Sequence, residues 1–181
     1  MKKVIVYYFS KTGSNRYLAE KIASRLGADI EQIRPNATAM FCLIIQMGMG
    51  LKELKHRPED YDRVILCGPI WMGSLIYPLR RFLEKYITRI KELVFVTCCA
   101  SGIEMKDDQY GYEKVFQKVK SITDNKCIRC EAFPITLVMS REDRRNSDKV
   151  MKTRLSDENF TGRIVEQLPI YYRNERKLIL I

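Results

Sequence analysis

Residues 4–15 read Val-Ile-Val-Tyr-Tyr-Phe-Ser-Lys-Thr-Gly-Ser-Asn. In this stretch an unbroken apolar run, rich in β-branched and aromatic residues, gives way to a short polar segment around one glycine. Such a run is typical of a parallel strand that is buried on both faces. Residues 15–26 then repeat apolar side chains at helical spacing, and Gly27 follows where a helix would end. The stretch therefore predicts a strand, a tight loop and a helix in succession.

The same alternation continues along the chain. A short second strand is predicted at residues 29–33, and further strands at 64–67, 93–97 and 133–138, the last with Pro134 as a sign of an edge position. Helices are predicted at residues 79–87, 112–122 and 157–168. Strands that alternate with helices form a parallel sheet covered on both faces. We expect an α/β fold of one domain, residues 1–181: a three-layer α/β/α sandwich with a doubly wound five-stranded sheet in the order 2-1-3-4-5.

Two segments do not fit this pattern clearly. Residues 34–58 contain an apolar helix candidate at 38–45, and the tail follows Pro169. The sequence does not indicate a structural or functional role for either segment.

The loop after the first strand has the composition of a phosphate-binding loop. Hydroxyl groups of Ser10, Thr12 and Ser14 alternate around Gly13, which permits a tight turn and a close approach of backbone N–H groups to an anion. The following helix adds its positive N-terminal dipole. An ordinary capped turn is the alternative, because Ser, Thr and Asn all cap helices.

Two later loops also follow buried strands. Residues 67–74 read Cys-Gly-Pro-Ile-Trp-Met-Gly-Ser and contain the only tryptophan, Trp71, which can stack on an aromatic ring or simply cover the end of the sheet. Residues 97–102 read Thr-Cys-Cys-Ala-Ser-Gly, whose small side chains leave room for a ring edge. In doubly wound sheets, ligands bind beyond the carboxyl ends of the strands where the strand order reverses. One ligand with a phosphate and a flat ring would touch all three loops there.

These motifs resemble the flavodoxin family. Residues 10–15, Ser-Lys-Thr-Gly-Ser-Asn, are similar to its phosphate loop, Thr/Ser-x-Thr-Gly-x-Thr/Asn, and residues 61–74 resemble the stretch that supplies its first ring-contacting loop. The resemblance covers residues 3–135 and implies bound FMN. Electron-carrier flavodoxins are strongly acidic, whereas this chain is basic. Their third loop usually offers a stacking tyrosine, which Tyr110 or Tyr112 would supply here only by folding back.

The resemblance also implies a set of FMN-binding residues. Phosphate contacts are expected from Ser10, Thr12, Gly13, Ser14 and Asn15. Contacts with the isoalloxazine ring are expected from Pro69, Ile70, Trp71, Met72, Gly73 and Ser74 on one side and from Cys99, Ala100, Ser101 and Gly102 at the other edge.

Charge and composition exclude several classes of function. The net charge of +10 is spread as +4, +3 and +3 over residues 1–60, 61–120 and 121–181, without a basic tail, so no nucleic-acid partner is expected. No signal peptide or membrane span of about 20 apolar residues is visible, and a cytoplasmic protein is expected. The six cysteines are therefore expected to be free thiols, and Cys98 and Cys99 to point to opposite sides of their strand.

Isolated motifs give no catalytic or metal site. Cys127-Ile-Arg-Cys130 lacks a second ligand pair for zinc, and His56 is the only histidine. No phospho-accepting Asp follows the third strand, no Cys-x5-Arg is present, and the first loop lacks a dinucleotide-type Gly-x-Gly-x-x-Gly.

We therefore expect an FMN-dependent oxidoreductase that moves electrons from a reduced donor, such as NAD(P)H, to a quinone or protein acceptor. A non-enzymatic electron carrier, a menaquinone-linked protoporphyrinogen oxidase and a flavin-free interaction module are the alternatives. The expected partners are a redox protein or a small electron donor or acceptor, and a homodimer is left open.

Overall fold

The computed structural model describes residues 2–36 and 50–166. Its strands are β1 Val4–Tyr8, β2 Asp29–Gln32, β3 Arg63–Cys67, β4 Ile70–Trp71, β5 Ser74–Leu75, β6 Glu92–Cys99 and β7 Cys127–Pro134. Its helices are α1 Ser14–Leu26, α2 Tyr77–Tyr86, α3 Glu113–Thr123, α4 Ser147–Lys152 and α5 Arg163–Glu166. The helix candidate at 38–45, Cys42 and the tail after Pro169 lie outside the described residues, and the assignment of residues 1–181 to one domain stays a prediction.

The main sheet has five parallel strands in the order β2-β1-β3-β6-β7. This confirms the predicted order 2-1-3-4-5, since β4 and β5 form a separate antiparallel hairpin between β3 and α2. Tyr8 at the end of β1 pairs with Cys67 at the end of β3, and Cys67 pairs with Val96 in β6. The loops that follow these three strands therefore leave the sheet at the same edge.

The apolar strands are buried because helices cover both faces of the sheet. One face packs against α2 and α3, and the other against α1 and the chain from Val150 to Ile164. Alternation along β6 sends Cys99 into the first cluster and Cys98 into the second, as predicted. Full burial of a large apolar side chain contributes about 1.5–3 kcal/mol, so these two clusters hold the three layers together.

The last strand and the last helix depart from the sequence-based boundaries. The strand predicted at 133–138 is β7, Cys127–Pro134, and Ile135–Val138 form a 3₁₀ turn instead. As an edge strand, β7 has one neighbour and carries charged residues, so it lacks the continuous apolar run of a central strand. The helix predicted from residue 157 begins only at Arg163, after Gly162 with φ 60° interrupts the chain.

Among the described residues, no helix is long and apolar enough to cross a bilayer.

Candidate functional site

The loop between β1 and α1 turns sharply at Gly13. The Gly13 N–H donates to the Ser10 hydroxyl at 3.1 Å, and its φ of 103° lies in a region that side chains disfavour. An added Cβ would meet nothing within 4 Å, so backbone conformation and not space requires glycine here. Lys11 and Thr12 at the tip of the loop are exposed.

The N-terminus of α1 has no cap from the protein's own side chains. Gly13 stands at the cap position and has no side chain that could accept from the first N–H groups of the helix, although its own N–H is bound by Ser10, and the first turn contains no acidic residue. The first N–H groups of a helix have no acceptor within the helix, and they and the helix dipole attract anions. Gly13 itself therefore supplies no side-chain cap, although serine, threonine and asparagine surround the position, and the choice between a phosphate loop and a structural turn stays a prediction.

Ser14 and Asn15 are buried, and their side chains have internal partners. The Leu155 N–H donates to the Ser14 hydroxyl at 3.2 Å. The Asn15 amide binds the backbone of Cys98 twice: it donates to the carbonyl at 3.0 Å and accepts from the N–H at 2.8 Å. The side chains expected to hold a phosphate thus fix the loop to the rest of the fold, and only the backbone N–H groups of these two residues are left for an anion.

The second loop is a β-hairpin. Trp71 pairs with Ser74 across it, and both turn residues have positive φ, 50° for Met72 and 66° for Gly73. This is the geometry of a tight two-residue hairpin turn, which is rare for a non-glycine residue such as Met72. The ring of Trp71 is half-buried, with the Lys11 Nζ 5.6 Å from its centroid. That cation–π contact joins the first loop to the second.

Of the other ring-contact candidates in this loop, Pro69 is half-buried, Ile70 is buried and Ser74 is exposed.

The third loop, residues 100–112, packs against the tip of the hairpin. A Cβ on Gly73 would lie 2.5 Å from the Gln109 carbonyl oxygen, so the two backbones are in close contact. The Ser101 hydroxyl donates to the Tyr110 carbonyl at 3.1 Å and closes the loop on itself. Cys99 at its start is buried, Ala100 is exposed and Gly102 is buried beside the Glu104 side chain.

The structure separates the two tyrosines that the sequence left undecided. Tyr110 lies beside the hairpin turn and is 55% exposed, whereas Tyr112 is buried against Phe116, with ring centroids 5.3 Å apart. Tyr110 is therefore the exposed tyrosine of the third loop, and its backbone lies next to the hairpin turn. The sequence contained no signal for this choice, because it depends on how the loop folds back.

The hairpin tip and the third loop carry most of the exposed large apolar side chains of the described residues. These are Met72, Ile103, Met105 and Tyr110, with Met72 73% exposed. Only Ile128 and Met151 are comparable elsewhere in the described chain. Apolar groups concentrated at the rim of a site commonly mark a surface that contacts another molecule.

Thiols near the loops are protonated at neutral pH. Burial raises the pKa of Cys67 and Cys98 well above the usual range and that of Cys99 to about 12. In the described ranges, no group of three or more His, Cys, Asp or Glu side chains could hold a metal ion. The arrangement can bind an anion and a flat ring, but it contributes no thiolate nucleophile at these positions.

Comparison with known proteins identifies the fold. No family model matches the chain. An uncharacterised protein of Archaeoglobus fulgidus is 24% identical over 149 residues, which cover 80% of this chain and 91% of that protein. A flavoprotein of Lactobacillus acidophilus NCFM, crystallised with FMN, is similar in structure with a TM-score of 0.58 and 14% identity, over 73% of this chain and 93% of that one.

A candidate flavoprotein of Bacteroides eggerthii DSM 20697 has a TM-score of 0.59 and 21% identity, over 73% of this chain and 87% of that one. The expected flavodoxin-like fold is confirmed.

Proposed function

We propose that the chain binds FMN, with the phosphate at the first loop and the isoalloxazine ring between the hairpin and the start of the third loop. The observation that carries this proposal is the uncapped N-terminus of α1 at Gly13, one strand away from the only tryptophan of the chain. The similar fold of a flavoprotein crystallised with FMN supports it. Neither a metal nor a charged side chain is needed to hold the phosphate in this arrangement.

Each loop has a separate part in such a site. Thr12 and the backbone N–H groups that begin α1 would hold the phosphate, and Trp71 would stack on the ring. Tyr110 is available from the third loop, a residue outside the set that the resemblance implied. Bound flavin supplies the electron chemistry, so the chain has to bind and orient it and to control its surroundings.

The proposed activity is electron transfer from a nicotinamide donor to a quinone. The apolar rim formed by Met72, Ile103, Met105 and Tyr110 suits an apolar acceptor better than a charged one. The net charge of +10 suits a flavin that becomes anionic on full reduction, because positive charge stabilises added negative charge.

A flavodoxin-type carrier is the second candidate. The same exposed rim favours it, since an apolar patch can equally contact a partner protein. Only turnover experiments separate these two functions. The protoporphyrinogen oxidase alternative stays a prediction that its own substrate assay would test.

The cofactor proposal is tested by titrating the apoprotein with FMN and with riboflavin while flavin fluorescence is recorded. We expect about one FMN per chain and weaker binding of riboflavin, because riboflavin lacks the phosphate. Thr12→Ala should weaken FMN binding by about 1–3 kcal/mol, the usual scale for a hydrogen bond to a charged group, and leave riboflavin binding unchanged. Equal affinities for the two ligands, or no binding of either, would overturn the proposal.

The activity is tested with the FMN-loaded protein, NADH or NADPH, and a soluble quinone. We expect nicotinamide oxidation that depends on the quinone and decreases when Met72 is replaced by a charged residue. A long-lived semiquinone, a very low second reduction potential and no turnover would identify the protein as a carrier instead.

A further inference from the structure

The pair of cysteines in β7 lies on one face of the sheet because of an irregularity in the strand. Cys127 pairs with Leu93 and Arg129 pairs with Val94, so Ile128 is an extra residue without a partner in β6. In a regular strand, residues three apart point to opposite faces. The extra residue of a β-bulge shifts this alternation by one position, so Cys127 and Cys130 lie on the same face of the sheet. Ile128 itself is 52% exposed.

The result is a close pair of half-buried thiols. The Cys127 and Cys130 sulfur atoms are 3.5 Å apart, and both side chains pack against the core cluster under α3. A disulfide bond is about 2.05 Å long, so the sulfurs need to approach by roughly 1.5 Å. Cys98 and Cys99, although adjacent in sequence, lie in different core clusters and offer no such pair.

The surroundings favour the thiolate of one cysteine. A hydrogen bond joins the sulfur atoms of Cys127 and Cys130, and the Arg129 backbone and then Thr123 and Lys120 of α3 act on Cys127 in the same direction as this bond, against the opposing effect of burial. Together they lower the pKa of Cys127 to about 7, whereas the same bond, together with burial, raises the pKa of Cys130. The negative charge of Glu113 in α3 also raises the pKa of Cys130. A thiolate next to a protonated thiol is the arrangement of an attacking and a resolving cysteine.

We propose that Cys127 and Cys130 are a redox-active dithiol that exchanges with low-molecular-weight disulfides. The Cys127 thiolate attacks one sulfur of the disulfide, forms a mixed disulfide and releases one thiolate. Cys130 loses its proton, attacks the Cys127 sulfur and releases the second thiolate, which leaves a Cys127–Cys130 disulfide. Two electrons pass from the protein to the small disulfide, which ends as two thiols, and an excess of the same thiol reverses the reaction.

This site is separate from the proposed flavin site. Cys130 pairs with Phe95, four residues before Cys99 at the loop end of β6. At about 3.3 Å per residue along a strand, roughly 13 Å of sheet lies between them. The dithiol therefore does not depend on bound FMN.

The test uses the full chain in a Cys42→Ser background, equilibrated with buffers of fixed ratios of oxidised to reduced glutathione near neutral pH. Trypsin cleaves after Lys126 and Arg129, so the disulfide would link peptide 127–129 to peptide 130–141 in one species detected by mass spectrometry. We expect this linked species, lighter by two hydrogen atoms than the two reduced peptides, while Cys98 and Cys99 in the same sample stay reduced.

Single variants test the order of the two steps. Cys130→Ser should accumulate glutathione on Cys127, and Cys127→Ser should react at least tenfold more slowly. The rate of Cys127 alkylation should rise with pH around a midpoint near 7, and Cys130→Ser should shift that midpoint upward. A native circular dichroism spectrum with no linked peptide in any buffer would overturn the proposal, as would a link that forms only in denaturant.

Discussion

Asn15→Ala should destabilise the protein strongly. The Asn15 amide is buried and supplies both a donor and an acceptor to the Cys98 backbone, at 3.0 and 2.8 Å. Strand β3 ends at Cys67, which pairs with Val96, so the amide takes the place of a neighbouring strand at the next pairing position of β6. The truncation leaves a buried N–H and a buried carbonyl without these partners.

Each unsatisfied buried group costs about 1–3 kcal/mol, so for these two groups we expect a total loss of about 2–6 kcal/mol in the free energy of unfolding. For a chain of this size, 1 kcal/mol corresponds to roughly 2–4 °C in Tm, which places the expected decrease at about 4–24 °C. The assay is thermal and urea unfolding of the apoprotein, followed by circular dichroism.

Thr12→Ala is the matched control, because Thr12 belongs to the same loop but is exposed. It should change stability by less than about 0.5 kcal/mol. Equal stability of the Asn15 and Thr12 variants would refute the reasoning, since it would mean that the buried amide contributes nothing net.

Asn15→Asp adds a pH-dependent test of the same contact. Only a protonated carboxyl group can donate to the Cys98 carbonyl, so the folded state should raise the pKa of the new group. Stability gained from a raised pKa is fully present below the pKa of the unfolded state and is lost as the pH rises from there through the higher pKa of the folded state. The variant should therefore be more stable in mildly acidic than in neutral solution, relative to the wild type.

Three further predictions concern the loops. Gly73→Ala should weaken FMN binding, because the new Cβ would lie 2.5 Å from the Gln109 oxygen. Gly27 has a similar positive φ, 58° against 66°, with nothing within 4 Å of its Cβ position, so Gly27→Ala should lower stability in urea unfolding but leave the FMN affinity unchanged. The fluorescence of Trp71 should be quenched as FMN binds. Trp71→Ala should weaken the free energy of FMN binding by about 0.5–1.5 kcal/mol more than the loss of its apolar contact area alone would. Unchanged Trp71 fluorescence at saturating FMN would show that this residue does not contact the flavin. In a redox titration, the bound flavin should be easier to reduce fully than in acidic flavodoxins, an effect that added salt should diminish.

The sequence predicted the features that depend on local pattern. The apolar runs of β1, β3 and β6 identify buried parallel strands, and with the alternating helices they predict a parallel sheet covered on both faces, whereas the strand order was a hypothesis that agrees with the flavodoxin resemblance. Prediction from the sequence failed where a long-range contact or a single backbone angle determines the local structure. The partner of the Asn15 side chain is 83 residues away at Cys98, a contact that the sequence did not indicate, whereas the expected phosphate contact of Asn15 stays a prediction. The bulge at Ile128 and the choice of Tyr110 over Tyr112 likewise depend on packing that no periodicity encodes.

The hydrogen bond from Leu155 to the Ser14 hydroxyl joins residues 141 positions apart. On the ribosome, the loop that begins α1 emerges early, but this partner emerges only near the end of the described chain. A contact between residues so far apart in sequence can form only after the intervening chain has been synthesised. Its formation also has to offset the entropy that is lost when this long loop closes. The loop that begins α1 therefore reaches its final geometry only after Leu155 has been synthesised, well after the first strand and helix have left the ribosome.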